Sequence, residues 1–271
     1  MTKEPYKIVL KVAILTTAIL GVFLFGENIV YEFPISKHTK EVYNIIEELP
    51  ADSVILLSYD WEGHFYGEMF PLSNVLTNHL LSRDVKVVTV AHSAQGSHIS
   101  KSIFEQMDKG GKKYGVDYVI LGYRPGGAAV MQGLTRDIAD IYPQDIYRVN
   151  IRSIAMMEEI KNLDDIDMIV SLSQGNTGGI VYIEQLSYGK DIPVVVAAPS
   201  AEYPRYLPYL DSGDLAGGLW GLTSAREYEQ LLEVESKASR NLAAQTMTAW
   251  LIVVVIIGQS LYAAIGIIRG K

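Results

Sequence analysis

The sequence predicts an α/β chain: a doubly wound (Rossmann- or flavodoxin-like) parallel sheet of about five strands, flanked by an N-terminal and a C-terminal transmembrane helix. Three observations carry this reading. Short β-branched apolar runs recur through the middle of the chain, at residues 53–59, 85–91, 116–123, 166–172 and 193–198. Stretches with apolar residues at helical spacing separate them, and this strand–helix alternation implies parallel strands covered on both faces. Longer apolar segments lie at the two chain ends, over 8–25 and 247–268.

The N-terminal segment is apolar apart from Lys11, Thr16 and Thr17, and its uninterrupted part is about 14 residues, short of the roughly 20 that span a bilayer. A cleaved signal peptide and an uncleaved signal anchor both fit. The anchor is preferred because Gly26-Glu27-Asn28-Ile29 follows Phe25, with no small-x-small cleavage site. The C-terminal segment runs about 22 residues without a charge and is followed at once by Arg269 and Lys271.

Each end of the chain carries +2, so the −8 of the whole leaves −12 for the middle. Basic tails outside two spans place both termini in the cytoplasm and the central domain outside it, although Lys37, Lys40, Lys237 and Arg240 on the inner flanks weaken the asymmetry. An acidic middle argues against a nucleic-acid-binding face. The absence of cysteine excludes disulfides and thiolate chemistry.

The expected organisation is an anchor at 1–26, a connector and helix at 27–50, the α/β domain at 51–221, a juxtamembrane helix at 222–246 and a second span at 247–268. Within the connector, Val42, Ile45, Ile46 and Leu49 share a helix face that Pro50 ends. Further helices are expected over 65–81, 97–113 and 178–186. The 125–165 stretch exceeds an ordinary crossover; it reads as an elaboration near the site or a contact arm, with a helix at about 151–162. Residues 203–221 read as a loop-rich aromatic segment. Ser224-Ala225-Arg226-Glu227 has capping-box spacing. Because neither proline nor glycine follows until Gly258, one helix could run from about 225 into the membrane, with Leu231, Val234, Ala238 and Leu242 as a packing or oligomer stripe.

In such a sheet, ligands bind beyond the carboxyl ends of the strands near the switch in strand order. The residues there are Asp60, His92, Arg124, Ser173 with Gln174, and Ser200. An order of 2-1-3-4-5 would put Asp60 and Arg124 on either side of the switch. The turn at 173–179, Ser-Gln-Gly-Asn-Thr-Gly-Gly, would let Thr177 cap a helix whose free amides face an anion. It is neither a dinucleotide fingerprint nor a P-loop. Asp60, His64 and His92 could ligate a metal, but no diagnostic spacing is present, so no metal is assigned and no cofactor is identified.

Arg124-Pro125-Gly126-Gly127 followed by Thr177-Gly178-Gly179 resembles the oxyanion and nucleophile loops of the Clp/signal-peptide-peptidase class of serine proteases, over those two short loops only. The resemblance implies Thr177 at the serine position, with no lysine or histidine assignable as its base. The chain therefore reads first as a non-enzymatic, oligomeric membrane component that binds a small polar ligand or assembles with copies of itself or another membrane protein. The alternative is a membrane-tethered hydrolase or transferase centred on Asp60, His92, Arg124 and Thr177.

Overall fold

The computed structural model describes residues 34–186 and 192–234, together with helical residues at 249, 252, 253 and 255–258. The chain divides into two units, Pro34–Glu235 and the joined ends Met1–Phe33 with Ser236–Lys271. Of the second unit, Ile252, Val253, Val255, Ile256 and Ile257 carry exposed apolar side chains. Among the described residues no helix is long and apolar enough to cross a membrane. The expected N-terminal span and most of the C-terminal one lie outside the described residues.

In the first unit the apolar runs form a parallel sheet: β1 (Val54–Asp60), β2 (Lys86–Ala91), β3 (Tyr118–Tyr123), β4 (Met168–Ser173), β5 (Val194–Ala198) and β6 (Gly217–Trp220). The order is β3-β2-β1-β4-β5-β6, with every pair parallel. β1, β2, β4 and β5 are almost wholly buried, which is why their runs show no polar alternation. The order differs from 2-1-3-4-5: the chain steps outward from β1 to β2 and β3, then returns to β4 on the other side of β1. The switch therefore lies between β1 and β4, and Arg124 at the end of β3 does not flank it.

The sixth strand was not expected, because its Gly217-Gly218 start is a weak strand signal. Packing asks for glycine there: a Cβ on Gly217 would stand 2.8 Å from Val42 Cγ2, on helix α1 (Lys37–Glu47). The rest of the segment expected to be a loop is helix α7 (Tyr203–Ser212), which takes Pro204 in its first turn, where no amide is needed, and closes at Gly213 in the left-handed region.

Helix α2 (Tyr66–Ser82) follows β1, and α3 (Ala94–Gln106) follows β2. α3 starts earlier than its apolar spacing suggests because Ser93 caps it, accepting from Gly96 N. The 125–165 excursion contains α4 (Ala128–Leu134) and α5 (Ile138–Ile141). The helix expected near 151–162 is instead two 3-10 turns, Ile151–Ser153 and Ala155–Glu158. Met156 N donates to Gly115 O at 2.9 Å rather than to its own preceding turn. Tyr142, Met157 and Leu163 of the excursion pack in one cluster with Val88, Val119 and Leu121, so it forms a core layer over β2 and β3. Helix α6 (Gly179–Leu186) follows β4.

The last helix of this unit, α8 (Gly221–Leu231), begins three residues before Ser224, which is buried inside it. The capping box does not form. Glu227 instead accepts from Ser36 N (3.2 Å), Ser36 Oγ (2.6 Å) and Thr39 Oγ1 (2.5 Å), tying the start of α1 to α8. The helix ends at Leu231, with Glu233 at φ 54°. The expected helix from 225 onward is therefore interrupted at 232–234, and Ala238 and Leu242 lie outside the described residues.

Candidate functional site

Ser58 and Asp60, two apart on β1, share one sheet face, as do Ser171 and Ser173 on β4. The register pairs Ser58 with Ser171 and Asp60 with Ser173, so four polar side chains meet at the switch point, all at most 2% exposed. A buried carboxylate needs donors on every side, and Asp60 has them. Its Oδ1 accepts from His92 N at 2.7 Å, and its Oδ2 accepts from Ser58 Oγ at 2.5 Å and Ser171 Oγ at 3.4 Å.

The glycine-rich turn closes on this carboxylate. Gly178 has φ +76°, and a Cβ there would stand 2.5 Å from Asp60 Oδ2. The amino-terminal end of α6 thus faces the protein's own anion, a favourable placement for a carboxylate. Gly179 N donates to Ser173 Oγ at 3.0 Å, and Ser173 Oγ donates to Thr177 O at 2.8 Å. Thr177 is exposed and its hydroxyl reaches Gln174 O at 3.3 Å. It neither caps α6 nor meets a base, so the likeness to serine-protease loops stops at the two glycine turns.

Three buried tyrosines surround the cluster. Tyr206 Oη lies 3.1 Å from Ser173 Oγ, and burial pushes its phenol up to about 12. Tyr182, on α6, lies with its Oη 3.1 Å from His92 Nε2; burial, then the charge of Asp60, hold it well above the ordinary phenol value. Tyr142 is held high by burial, then by Asp60, while Arg124 pulls the other way. All three are therefore neutral hydroxyls at physiological pH.

Arg124 N donates to Ala91 O at 3.1 Å, which sets Arg124 beside His92 across the β2–β3 ladder. Its Nε donates to Ile141 O at 2.6 Å, and its Cζ lies 5.6 Å from the Tyr142 ring centroid. Among the described residues it forms no ion pair, and Tyr142 feels both its charge and that of Asp60. Asp60, His92 and Arg124 thus line the rim at the ends of β1, β2 and β3.

Gln174 crosses the mouth: its N donates to Asp60 O at 3.2 Å, its Oε1 accepts from Glu62 N at 3.1 Å, and its Nε2 lies 3.0 Å from His64 Nε2. Ser200 is not part of the cluster. Its N and Oγ both donate to Glu68 Oε2 of α2, at 3.1 Å each.

Two polar atoms of the cluster are buried without a partner, His92 Nδ1 and Tyr142 Oη. His92 is 9% exposed and Tyr142 fully buried. They are two of nine such side-chain atoms among the described residues, each a place where a water, an ion or a ligand can supply the missing partner. Asp60 bonds the backbone of His92 rather than its ring, so the two do not form a general-base dyad, and among the described residues the imidazole hydrogen-bonds only with Tyr182. Among the described residues no group of three or more potential ligands could hold a metal ion.

Composition of the strands held a trace of Ser58 and Ser171, each a polar break inside an apolar run. Tyr142 and Tyr182 had no sequence signal, since their roles depend on how the excursion and α6 fold over the sheet. No family model, curated protein or solved structure matches this chain.

Proposed function

We propose that the chain is a membrane-anchored binding protein whose α/β domain takes a small polar ligand at the strand ends of β1, β2 and β3. One observation carries the reading: His92 Nδ1 and Tyr142 Oη are buried and unpartnered beside a carboxylate whose own hydrogen bonds are complete. Leaving such atoms bare costs about 1–3 kcal/mol each, a cost that a ligand supplying their partners removes.

Anchorage rests on the two terminal apolar segments with their basic flanks, and on the exposed apolar side chains at 252, 253 and 255–257. In this proposal both termini are cytoplasmic, the domain is extracytoplasmic, and the chain assembles with copies of itself or another membrane protein.

The test is native mass spectrometry of the full-length chain released from membranes in mild detergent. The expected result is a discrete small-molecule adduct on an oligomer with the N-terminal segment intact, and its loss in Tyr142→Phe. Adduct-free protein that no polar metabolite stabilises against heat would overturn the reading.

A further inference from the structure

His79 stands where three helices of the α/β domain meet, and it is 1% exposed. It lies on α2. Its Nε2 is 2.8 Å from Glu47 Oε1 on α1, its Nδ1 is 2.8 Å from Tyr228 Oη on α8, and its ring stacks on Tyr43 of α1. α8 is the last element of the Pro34–Glu235 unit, so the chain leaves this domain through it.

The hydrogen bonds fix the protons. Arg83 holds Glu47 as a carboxylate, with Nη1 3.0 Å from Oε2 and Nη2 2.7 Å from the Glu47 carbonyl. A carboxylate only accepts, so the proton of the neutral imidazole is on Nε2. Nδ1 is then an acceptor, and Tyr228 donates to it. A second proton on the ring has to sit on Nδ1, where it meets the hydroxyl proton of Tyr228. That hydroxyl is fully buried and has no other hydrogen-bond partner among the described residues. It must either stay as a buried donor without an acceptor or leave. On the other side of the ring the same proton turns a neutral contact with Glu47 into an ion pair.

The charged and titratable groups against the ring are few. Tyr43 and Glu47 face it from α1, Arg83 from just past α2, and Tyr228 from α8. Glu227 of α8 is turned to Ser36 and Thr39. β5 and β6 carry no titratable side chain. Burial outweighs the pull of Glu47 and holds the imidazole below its ordinary 6.5. A form in which the ring is wetted therefore takes up the proton more readily, and acid favours it.

We infer that His79 is a proton-operated latch on α8: a proton taken up at Nδ1 breaks the bond to Tyr228 and releases α8 from α2, while the bond to Glu47 strengthens and keeps α1 in place.

The experiment is amide hydrogen exchange of the full-length, detergent-solubilised protein at pH 7.5 and 5.5, with rates corrected for the intrinsic effect of pH. Glu47 is still ionised at pH 5.5, because its carboxyl is held below 4.5. Exchange in Gly221–Leu231 is expected to speed up at pH 5.5 by up to about tenfold, the limit for one proton over the pH unit below 6.5. Lys37–Glu47 and the central strands β1 and β4 are expected to change little. His79→Gln is expected to erase the step. Tyr228→Phe is expected to exchange faster in α8 already at pH 7.5 and to show a smaller step, since only the neutral ring loses a bond. If either variant fails to fold, the pattern in the unmodified protein is sufficient. Equal acceleration in α1 and α8, acceleration spread through the sheet, no acceleration in α8, or a step that survives in His79→Gln would each overturn the latch.

Discussion

Asp60 and Gly178 are in direct contact: the carboxylate at the end of β1 fills the space that a side chain at position 178 would need, with the nearest oxygen 2.5 Å from a Cβ built there. The glycine turn after β4 is thus shaped around the protein's own carboxylate rather than around a phosphate.

Gly178→Ala therefore meets two costs, a positive φ of 76° and a collision with Asp60. The expected loss of stability is about 2–3 kcal/mol, read as a lower Tm and a lower denaturant midpoint. An unchanged midpoint would show that the turn does not close on Asp60.

Asp60→Asn keeps the shape and reverses the chemistry on one oxygen. Its amide would point donors at donors supplied by His92 N, Ser58 or Ser171. We expect a loss of about 3 kcal/mol, in the range for breaking a buried charged network, measured by urea unfolding. The same substitution is expected to disturb His92 and to weaken ligand binding.

Glu227→Gln tests the tie between the two ends of the domain. Three donors of Ser36 and Thr39 converge on one oxygen of this buried carboxylate. The expected cost is about 2 kcal/mol, with amide hydrogen exchange accelerated across Lys37–Glu47 and little altered in β1 and β4. Uniform acceleration through the sheet would contradict a local tie.

The α1, α2 and α8 contact also sets a pH dependence. His79, 1% exposed, has Nε2 2.8 Å from Glu47 Oε1 and Nδ1 2.8 Å from Tyr228 Oη, and stacks on Tyr43. Arg83 completes the group, with Nη1 3.0 Å from Glu47 Oε2. Burial holds the imidazole below its ordinary 6.5, against the pull of Glu47. The bond to His79, and then the charge of Arg83, hold the Glu47 carboxyl below 4.5 despite some burial. A histidine depressed in the fold takes up its proton more readily when unfolded, so stability falls as pH drops below about 6.5. Glu47 contributes stability above 4.5 that is lost as pH falls through its lower folded value. Thermal melts between pH 8 and 3 are expected to show both declines, with the first absent in His79→Gln. Flat stability from pH 7.5 to 5 would contradict the burial of a neutral His79.

Much of this fold was legible in the residues. Runs such as Val85-Lys86-Val87-Val88 are strands by composition alone, and the polar strand ends at Asp60, His92 and Arg124 already marked the rim that the structure assembles. Strand order was not legible, because whether the chain steps left or right after β3 depends on what the 125–165 excursion covers. Nor was β6, whose glycines answer to Val42 of a helix far away in sequence. Thr177 and Ser200 stood at strand ends like the others, but their side chains turn to Gln174 O and Glu68. The partner a strand-end residue meets is decided by the loop that folds over it, and local sequence does not carry that choice.

The central claim is that His92 presents a bare Nδ1 to a ligand. Long-range proton–nitrogen correlation spectra of the ¹⁵N-histidine-labelled protein test it directly, with His92→Ala providing the assignment. The expected result is an Nδ1 without a hydrogen-bond partner in the adduct-free protein, whose resonance shifts markedly when the adduct seen by native mass spectrometry is bound. An Nδ1 resonance that is the same with and without the adduct would contradict it.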